Sequence, residues 1–332
     1  MDNKKICIIS VYFGKLPTWI DVWLRSVELN EDIDFLLVTD DPKIKYSIKN
    51  LKIIYLNLNE FKRLAENKLK VKIKLENPYK LCDYKEIWGV ILEDYISKYD
   101  YWGECDNDLV FGDLKYFFDK FDLSRYDKFG NRGHLSLYRN TAEVNDRYKL
   151  SGGWFGSYKE VFKSNLNWAF DETPGINAIY EKNNFSFMNK FIYADIDVNY
   201  KDIRCVERPG KLCKNYDQQI FYWSNGKVLR DYVDLSGKIK TDEFEYIHLQ
   251  KRKMYKPKFD VFKTKEFYII NGQFIEKKGP TTIEIIDKYN KRNDIDVPSE
   301  LFGGAYNKDM RFSWLGRRYL NFKFSIKQFL KK

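Results

Sequence analysis

The chain has 332 residues, enough for one large α/β domain with additions or for two domains. Hydrophobic residues make up 44% and aromatic residues 17%, a composition that excludes an intrinsically disordered chain. The net charge of +10 favours anionic partners, which leaves nucleic acid, anionic lipid headgroups and diphosphate-containing substrates as candidates.

The cysteines predict free thiols in a reducing compartment. There are five of them, an odd number, and no two form a CxxC pair. The apolar run near the amino terminus is too short for a signal peptide, and nowhere are there about eighteen consecutive apolar residues. We therefore expect a cytoplasmic protein, either free or peripheral at the inner face of the plasma membrane.

Three apolar runs near the amino terminus predict strands of a sheet that is covered on both faces. Lys5–Phe13 is rich in β-branched residues and ends at Gly14, and Phe35–Thr39 and Leu51–Leu56 are predominantly apolar. A helix is predicted after Pro17, because apolar residues recur there at helical spacing. The pattern predicts the α/β class, with a Rossmann-like mixed sheet and helices on both faces.

Residues at two of these strand ends predict a ligand crevice, because ligands bind beyond the carboxyl ends of the strands in such a sheet. Ser10, Tyr12 and Phe13 are predicted on one side of the crevice and Asp40 on the other. An aromatic ring can stack on a nucleotide base, and a carboxylate can accept from a ribose hydroxyl. The alternative is that all four are ordinary turn residues.

The segment Pro78–Asp83 leads into a predicted helix whose apolar stripe runs from Tyr84 to Tyr95. Because Lys80, Asp83 and Lys85 come shortly before the next strand in the chain, they are predicted to lie beside that strand's end. A lysine there can meet phosphate or sugar hydroxyls. The alternatives are a solvated lysine and a simple N-cap for Asp83.

The next run, YDYWGECDNDLVFGDL, predicts a buried strand that ends at Asp106-Asn107-Asp108. Two carboxylates one residue apart at a strand end can hold a divalent cation, Mn²⁺ or Mg²⁺, while the cation also contacts a phosphate. The alternative is an acidic turn between a strand and a helix.

Beyond residue 200 the pattern changes to antiparallel hairpins. Ile220–Trp223 and Lys227–Tyr232 flank an Asn-Gly turn, and Phe267–Ile275 repeats that signature.

Between these hairpins lies His248, one of only two histidines, in a run that continues into a basic cluster with Lys251 and Lys253. An imidazole here can complete an Asp, Asp, His metal set, and the adjoining lysines can neutralise a diphosphate. A structural histidine on a strand is the alternative.

The tail, Arg311–Lys332, combines seven basic residues with many aromatic ones and contains no acidic residue. This composition is typical of an interfacial membrane anchor. A terminal helix that packs its apolar face on the domain is the alternative.

The chain resembles GT-A type glycosyltransferases, specifically the uncharacterised-domain proteins of bacterial capsule, exopolysaccharide and lipopolysaccharide gene clusters. The resemblance covers roughly residues 5–254 and rests on four ordered motifs: PYKLCDYKEIWG, YDYWGECDNDLVFGDL, GHLSLYRN and EYIHLQKRKM. It implies a GT-A fold in which Asp106, Asp108 and His248 hold Mn²⁺ or Mg²⁺ on a sugar-nucleotide diphosphate. Lys251 and Lys253 take the place of a diphosphate-binding cation.

By this resemblance the chain transfers a hexose from a nucleotide diphosphate sugar, expected to be UDP-linked, to a saccharide acceptor. The expected acceptor is a lipid-linked oligosaccharide of surface polysaccharide synthesis. An inverting enzyme also needs a carboxylate base near the acceptor hydroxyl. Asp171 and Glu172 are the first candidates, and Asp195 and Asp197 are the next.

The predicted organisation is a catalytic domain over residues 1–260, with a nucleotide-sugar half up to 115 and an acceptor half from 116. A hairpin extension over 261–300 and the tail over 301–332 follow. Three other functions stay open: a basic nucleic-acid binder, motivated by the net charge, a glycoside hydrolase with paired carboxylates, and a catalytically inactive glycan-binding or scaffold protein of the same fold. Because the charge is dispersed and acids stand at the strand ends, nucleic acid is not the expected partner.

Overall fold

The computed structural model describes residues 4–42, 47–154, 157–250 and 252–290. In chain order the strands are β1 (Ile6–Tyr12), β2 (Asp34–Thr39), β3 (Leu51–Tyr55), β4 (Tyr101–Cys105), β5 (Leu109–Phe111), β6 (Lys128–Arg132), β7 (Leu135–Arg139), β8 (Phe187–Met188), β9 (Ala194–Asp195), β10 (Gln219–Ser224), β11 (Lys227–Val233), β12 (Ile239–Phe244), β13 (Tyr246–His248), β14 (Glu266–Ile270) and β15 (Gln273–Glu276). The α-helices are α1 (Ile20–Glu28), α2 (Leu58–Leu69), α3 (Trp88–Ile91), α4 (Glu93–Ile96), α5 (Leu114–Lys120), α6 (Ala142–Asp146), α7 (Tyr158–Phe162), α8 (Ala178–Lys182) and α9 (Ile283–Asn290).

The central sheet has seven strands in the order β3-β2-β1-β4-β7-β6-β8. Strands β3, β2, β1 and β4 are mutually parallel, whereas β7 runs antiparallel to both β4 and β6. The predicted Rossmann-like mixed sheet is therefore confirmed. Its parallel strands bring the carboxyl ends of β1, β2 and β4 to one edge.

The side chains of alternate β1 residues are buried on opposite faces of this sheet. Cys7, Ile9 and Val11 belong to one hydrophobic cluster, and Ile6 and Ile8 belong to another. Because successive side chains of a strand point to opposite faces, an unbroken apolar run requires cover on both sides. The structure confirms the prediction of helices on both faces.

Two smaller sheets complete the fold. The first has five antiparallel strands in the order β12-β11-β10-β14-β15 and contains both predicted hairpins. Asn225 and Gly226 join β10 to β11 with positive φ angles of 48° and 84°, as an Asn-Gly hairpin turn requires. The second sheet has three strands in the order β5-β13-β9 and connects the five-stranded sheet to the central one.

The prediction of one continuous helix along the apolar stripe from Tyr84 to Tyr95 is wrong. A 3₁₀ helix over Pro78–Ile87 is followed by the short helices α3 and α4, and Tyr95 is 39% exposed. Asp83 lies inside the 3₁₀ helix, so it is no N-cap. Its carboxylate instead accepts hydrogen bonds from a distant loop, and this tertiary contact overrides the helical periodicity.

All five cysteines are free thiols, as predicted. None of the described helices combines the length and the apolar character needed to cross a bilayer. The predicted tail over 301–332 and the last part of the predicted hairpin extension lie outside the described residues.

Candidate functional site

The Asp-Asn-Asp turn lies where the central sheet meets the three-stranded sheet. β4 ends at Cys105, and β5 begins at Leu109, immediately after the turn. The backbone N–H of Asp106 donates to the carbonyl of His134 at 3.1 Å, and the N–H of Leu249 donates to the carbonyl of Asp108 at 2.9 Å. The turn is thus fixed by backbone contacts on both sides.

The sheet register brings His248 to the same turn. β13 pairs antiparallel with β5, and this pairing places His248 opposite Leu109. As a result, the Nε2 atom of His248 lies 3.4 Å from Oδ1 of Asp108. The ligand atoms of Asp106, Asp108 and His248 all lie within 4.8 Å of one another. The structure therefore brings together the three residues predicted to hold a metal.

The chemistry of these three residues fits a divalent cation. Two carboxylates and one imidazole are donors that Mn²⁺ accepts, and the carboxylates also suit Mg²⁺. Oδ1 of Asp108 is buried and has no hydrogen-bond partner among the described residues. A buried carboxylate oxygen without a donor is costly unless a cation satisfies it.

His248 is held on its other side by Asp195. Its Nδ1 atom donates to Oδ1 of Asp195 at 2.9 Å, and Gln250 donates to the same oxygen at 2.8 Å. Burial alone would lower the pKa of His248, but Asp108 and Asp195 raise it to about 10. Burial by itself raises the pKa of Asp195, but the hydrogen bond from His248 holds it well below its usual range.

Lys85, which the sequence predicts beside the strand end together with Lys80 and Asp83, lies directly beneath the turn. Its ammonium nitrogen donates to Oδ1 of Asp106 at 2.5 Å and to the carbonyl of Gly133. Asp171 and Glu104 lie 3.7 Å and 3.9 Å from the same nitrogen. Burial lowers the pKa of Lys85, but the surrounding carboxylates outweigh it and raise the pKa well above its usual value.

Lys80 and Asp83 form a buried ion pair of their own. Their charged atoms are 2.7 Å apart, and both side chains are almost fully buried. Asp83 also accepts hydrogen bonds from the backbone N–H groups of Trp168 and Phe170. These contacts anchor the loop before Asp171, and neither Lys80 nor Asp83 reaches the cleft beside the Asp-Asn-Asp turn.

Asp171 and Glu172, the first candidates for a base, are occupied by other contacts. Asp171 is 6% exposed and faces Lys85, and its pKa is raised well above the usual range because of burial. Glu172 accepts a hydrogen bond from Arg132 at 3.2 Å. Neither residue lines the cleft, whereas Asp197 does.

Two of the four predicted crevice residues stabilise loops beside the cleft, and the other two line the cleft itself. Ser10 is buried and donates its hydroxyl to Oδ1 of Asn107 at 2.8 Å, which braces the turn. Asp40 accepts from the backbone N–H of Gly14 at 2.7 Å and so fixes the loop after β1. Tyr12 and Phe13 line the cleft.

A cleft of about 1110 Å³ opens over the turn. Of the predicted site residues it is lined by Tyr12, Phe13, Asp106, Asp108, Asp197, His248 and Lys253. Two exposed tyrosines in its lining, Tyr79 and Tyr255, were not predicted as site residues, although Tyr79 lies in the motif PYKLCDYKEIWG. Lys251 lies outside the described residues.

The profile of a family described as "Family of unknown function (DUF6625)" matches residues 8–278 of this chain. No curated protein matches the sequence.

Among solved structures, the chain is similar to galactosyltransferase LgtC in complex with donor and acceptor sugar analogs. The identity is 13% and the TM-score 0.35, over 57% of this chain and 75% of that chain. It is also similar to mouse xyloside xylosyltransferase 1 in its apo form, at 9% identity and a TM-score of 0.38, over 58% and 88%. For glycosyltransferase GlyE of Streptococcus pneumoniae TIGR4 the identity is 14% and the TM-score 0.29, over 44% and 38%.

Proposed function

The chain belongs to the DUF6625 family, and we propose that it is a metal-dependent GT-A type glycosyltransferase that moves a hexose from a nucleotide diphosphate sugar to a saccharide acceptor. One observation carries the proposal: Asp106, Asp108 and His248 converge at a large cleft beyond the carboxyl ends of parallel strands. A ligand is expected at this edge of an α/β sheet. A diphosphate binds where the local charge is positive. Two carboxylates repel it unless they hold a cation.

A bound Mn²⁺ or Mg²⁺ would neutralise the negative charge that builds on the leaving diphosphate as the bond to the sugar breaks. Asp106, Asp108 and His248 would hold that ion. Lys253 lines the same cleft and adds a cation of the protein's own near the diphosphate. Such charges, oriented in advance, stabilise a transition state more than the ground state.

Tyr12 is the candidate for stacking on the nucleotide base, because it lines the cleft at the end of β1. For an inverting reaction, the base that takes the proton from the acceptor hydroxyl must reach the cleft. Asp197 meets this condition. The proposal for the base therefore moves from Asp171 and Glu172, which contact Lys85 and Arg132, to Asp197.

We extend the proposal to a lipid-linked oligosaccharide acceptor at the cytoplasmic face of the membrane. Its support is the composition of the tail, Arg311–Lys332, whose basic and aromatic residues suit an anionic interface.

The proposal is tested with the full chain and a panel of UDP-, GDP-, ADP- and dTDP-sugars, each with Mn²⁺, Mg²⁺ or EDTA. We expect at least one donor to raise the melting temperature and to release nucleoside diphosphate only when metal is present. If no donor does either, the proposal fails. Binding of nucleic acid that weakens steeply with salt would favour the basic nucleic-acid binder instead.

A further inference from the structure

Two candidate metal sites share His248, and the geometry separates them. One consists of Asp106, Asp108 and His248, and the other of His134, Asp195 and His248. In each group the donor atoms are close enough to surround one ion, so distance alone does not choose between them.

The orientation of the two imidazoles argues against the second group. The rings of His134 and His248 stack face to face, with centroids 4.3 Å apart and an angle of 29° between their planes. A histidine nitrogen binds a metal with the lone pair in its own ring plane. Two rings stacked in this way direct these lone pairs side by side, so they do not converge on one ion about 2 Å from each nitrogen.

The hydrogen bonds around His248 lead to the same choice. Nδ1 is engaged by Asp195 at 2.9 Å, whereas Nε2 faces Oδ1 of Asp108 at 3.4 Å. Asp195 is itself held by two more donors, Gln250 on Oδ1 at 2.8 Å and Arg208 on Oδ2 at 3.1 Å. A buried carboxylate fixed by three donors is a rigid acceptor, and it accepts only from a nitrogen that carries a proton.

We infer that Asp195 is a positioning residue that keeps the proton of His248 on Nδ1 and presents Nε2 to a divalent cation shared with Asp106 and Asp108. The inference rests on the metal site of the proposed function. A carboxylate on the far nitrogen of a ligating histidine fixes the tautomer, orients the ring and increases the basicity of the ligand. His134 contributes by packing, since its ring covers one face of His248 and its Nδ1 is hydrogen-bonded to the hydroxyl of Tyr246 at 2.7 Å.

The first experiment compares Mn²⁺ binding by the wild type, Asp195→Asn and Asp242→Asn, with calorimetry of the full chain and Mn²⁺ as the only ligand. Asp242 is the matched control, because it is 5% exposed against 7% for Asp195 and also contacts an arginine, Arg230, at 2.6 Å. We expect Asp195→Asn to weaken Mn²⁺ binding by about 10- to 100-fold. We expect Asp242→Asn to leave it within about threefold. Equal affinities for all three proteins would overturn the inference.

A spectroscopic readout distinguishes orientation of the ligand from a general loss of stability. Histidine nitrogen bound to Mn²⁺ gives a modulation in the electron spin echo, and the chain contains only two histidines. We expect the modulation in the wild type and in Asp242→Asn, and its loss or marked reduction in Asp195→Asn. A full modulation in Asp195→Asn would overturn the inference.

A measurement on the wild type alone covers the case in which Asp195→Asn does not fold. In ¹⁵N-histidine NMR with Zn²⁺ as a diamagnetic probe, one histidine should show a protonated Nδ1 and a metal-bound Nε2. Ligation through Nδ1, or no ligated histidine, would overturn the inference. Donor turnover is measured separately. Turnover without histidine ligation would reject the inference but not the proposed glycosyl transfer. Histidine ligation without turnover would support the inference and reject the proposed glycosyl transfer.

Discussion

The ammonium nitrogen of Lys85 lies 2.5 Å from Oδ1 of Asp106, although the two residues are 21 positions apart in the chain. The same nitrogen is within 4 Å of Glu104 and Asp171. Lys85 is therefore the counter-ion of a buried carboxylate cluster that lies directly under the candidate metal site.

Replacing Lys85 by Met should destabilise the protein strongly, because it leaves buried carboxylates without a cation. Removal of one partner of a buried ion pair typically costs about 3–5 kcal/mol. Urea unfolding monitored by circular dichroism measures this loss. The control is Lys115→Met, since Lys115 forms an exposed pair with Asp119 on α5 and its loss should change the free energy of unfolding by less than about 1 kcal/mol. Equal stability of both variants would contradict the role assigned to Lys85.

Replacing Asp108 by Asn should abolish tight Mn²⁺ binding while the fold remains. The side chain of Asp108 is 28% exposed, and its Oδ1 has no hydrogen-bond partner among the described residues, so few protein contacts are lost. We expect Mn²⁺ affinity to fall by more than about 100-fold. Loss of a residue that only hydrogen-bonds to a metal ligand typically costs about 10- to 100-fold, and loss of the ligand itself should cost more. Calorimetry measures the affinity and urea unfolding the stability.

Asp94→Asn is the matched control for this substitution, because Asp94 is an exposed carboxylate on α4 that pairs with Lys68. Its Mn²⁺ affinity should equal that of the wild type. Retention of wild-type affinity by Asp108→Asn would remove Asp108 from the metal site.

Glu245 should make stability depend on pH. It is buried, its Oε1 lacks a hydrogen-bond partner among the described residues, and burial raises its pKa from 4.5 to about 8. The folded state holds this proton more tightly than the unfolded state. The contribution of protonated Glu245 to the free energy of unfolding is therefore fully present below about pH 4.5. It is lost as the pH rises toward 8.

Glu245→Gln removes this titration and keeps the shape of the side chain. The difference in free energy of unfolding between Glu245→Gln and the wild type should increase, in favour of the variant, by up to about 1.4 kcal/mol for each pH unit from 5 to 8. Urea unfolding at pH 5, 6.5 and 8 measures the difference. Parallel pH profiles for the two proteins would show that Glu245 does not titrate as described.

Gly89→Ala should destabilise the protein even though Gly89 lies in helix α3, where alanine is favoured over glycine by about 1 kcal/mol. A Cβ atom at this position would overlap the indole of Trp102. That indole is stacked on Tyr138 and donates its N–H to Asn145, so it has little room to move. Overpacking of a core typically costs about 1–3 kcal/mol.

Thermal and urea unfolding measure the effect of Gly89→Ala, with Gly279→Ala as the control. A Cβ at Gly279 would meet no atom within 4 Å. The control should match the wild type within about 0.5 kcal/mol. A stabilised Gly89→Ala variant would mean that helix propensity outweighs the contact with Trp102.

Features that depend on local periodicity and on turn chemistry can be predicted from the amino-acid sequence alone. The unbroken apolar run of β1 predicts a strand buried on both faces, and its alternate residues do enter two different clusters. The Asn-Gly dipeptide at 225–226 predicts a hairpin, and the backbone has the φ angles that this turn requires. Such features are encoded within about ten neighbouring residues, so they can be inferred without the rest of the chain.

The pairing of charged groups, in contrast, depends on how distant segments of the chain pack. Asp195 and His248 are 53 positions apart and come together because β13 pairs with both β5 and β9, and a register shift of one residue would turn His248 to the other face. Asp83 satisfies the requirements of an N-cap in sequence, but its carboxylate accepts from Trp168 and Phe170. A charged side chain offers the same donors and acceptors wherever it lies. Its partner is chosen by strand register and burial, which arise only when distant segments pack.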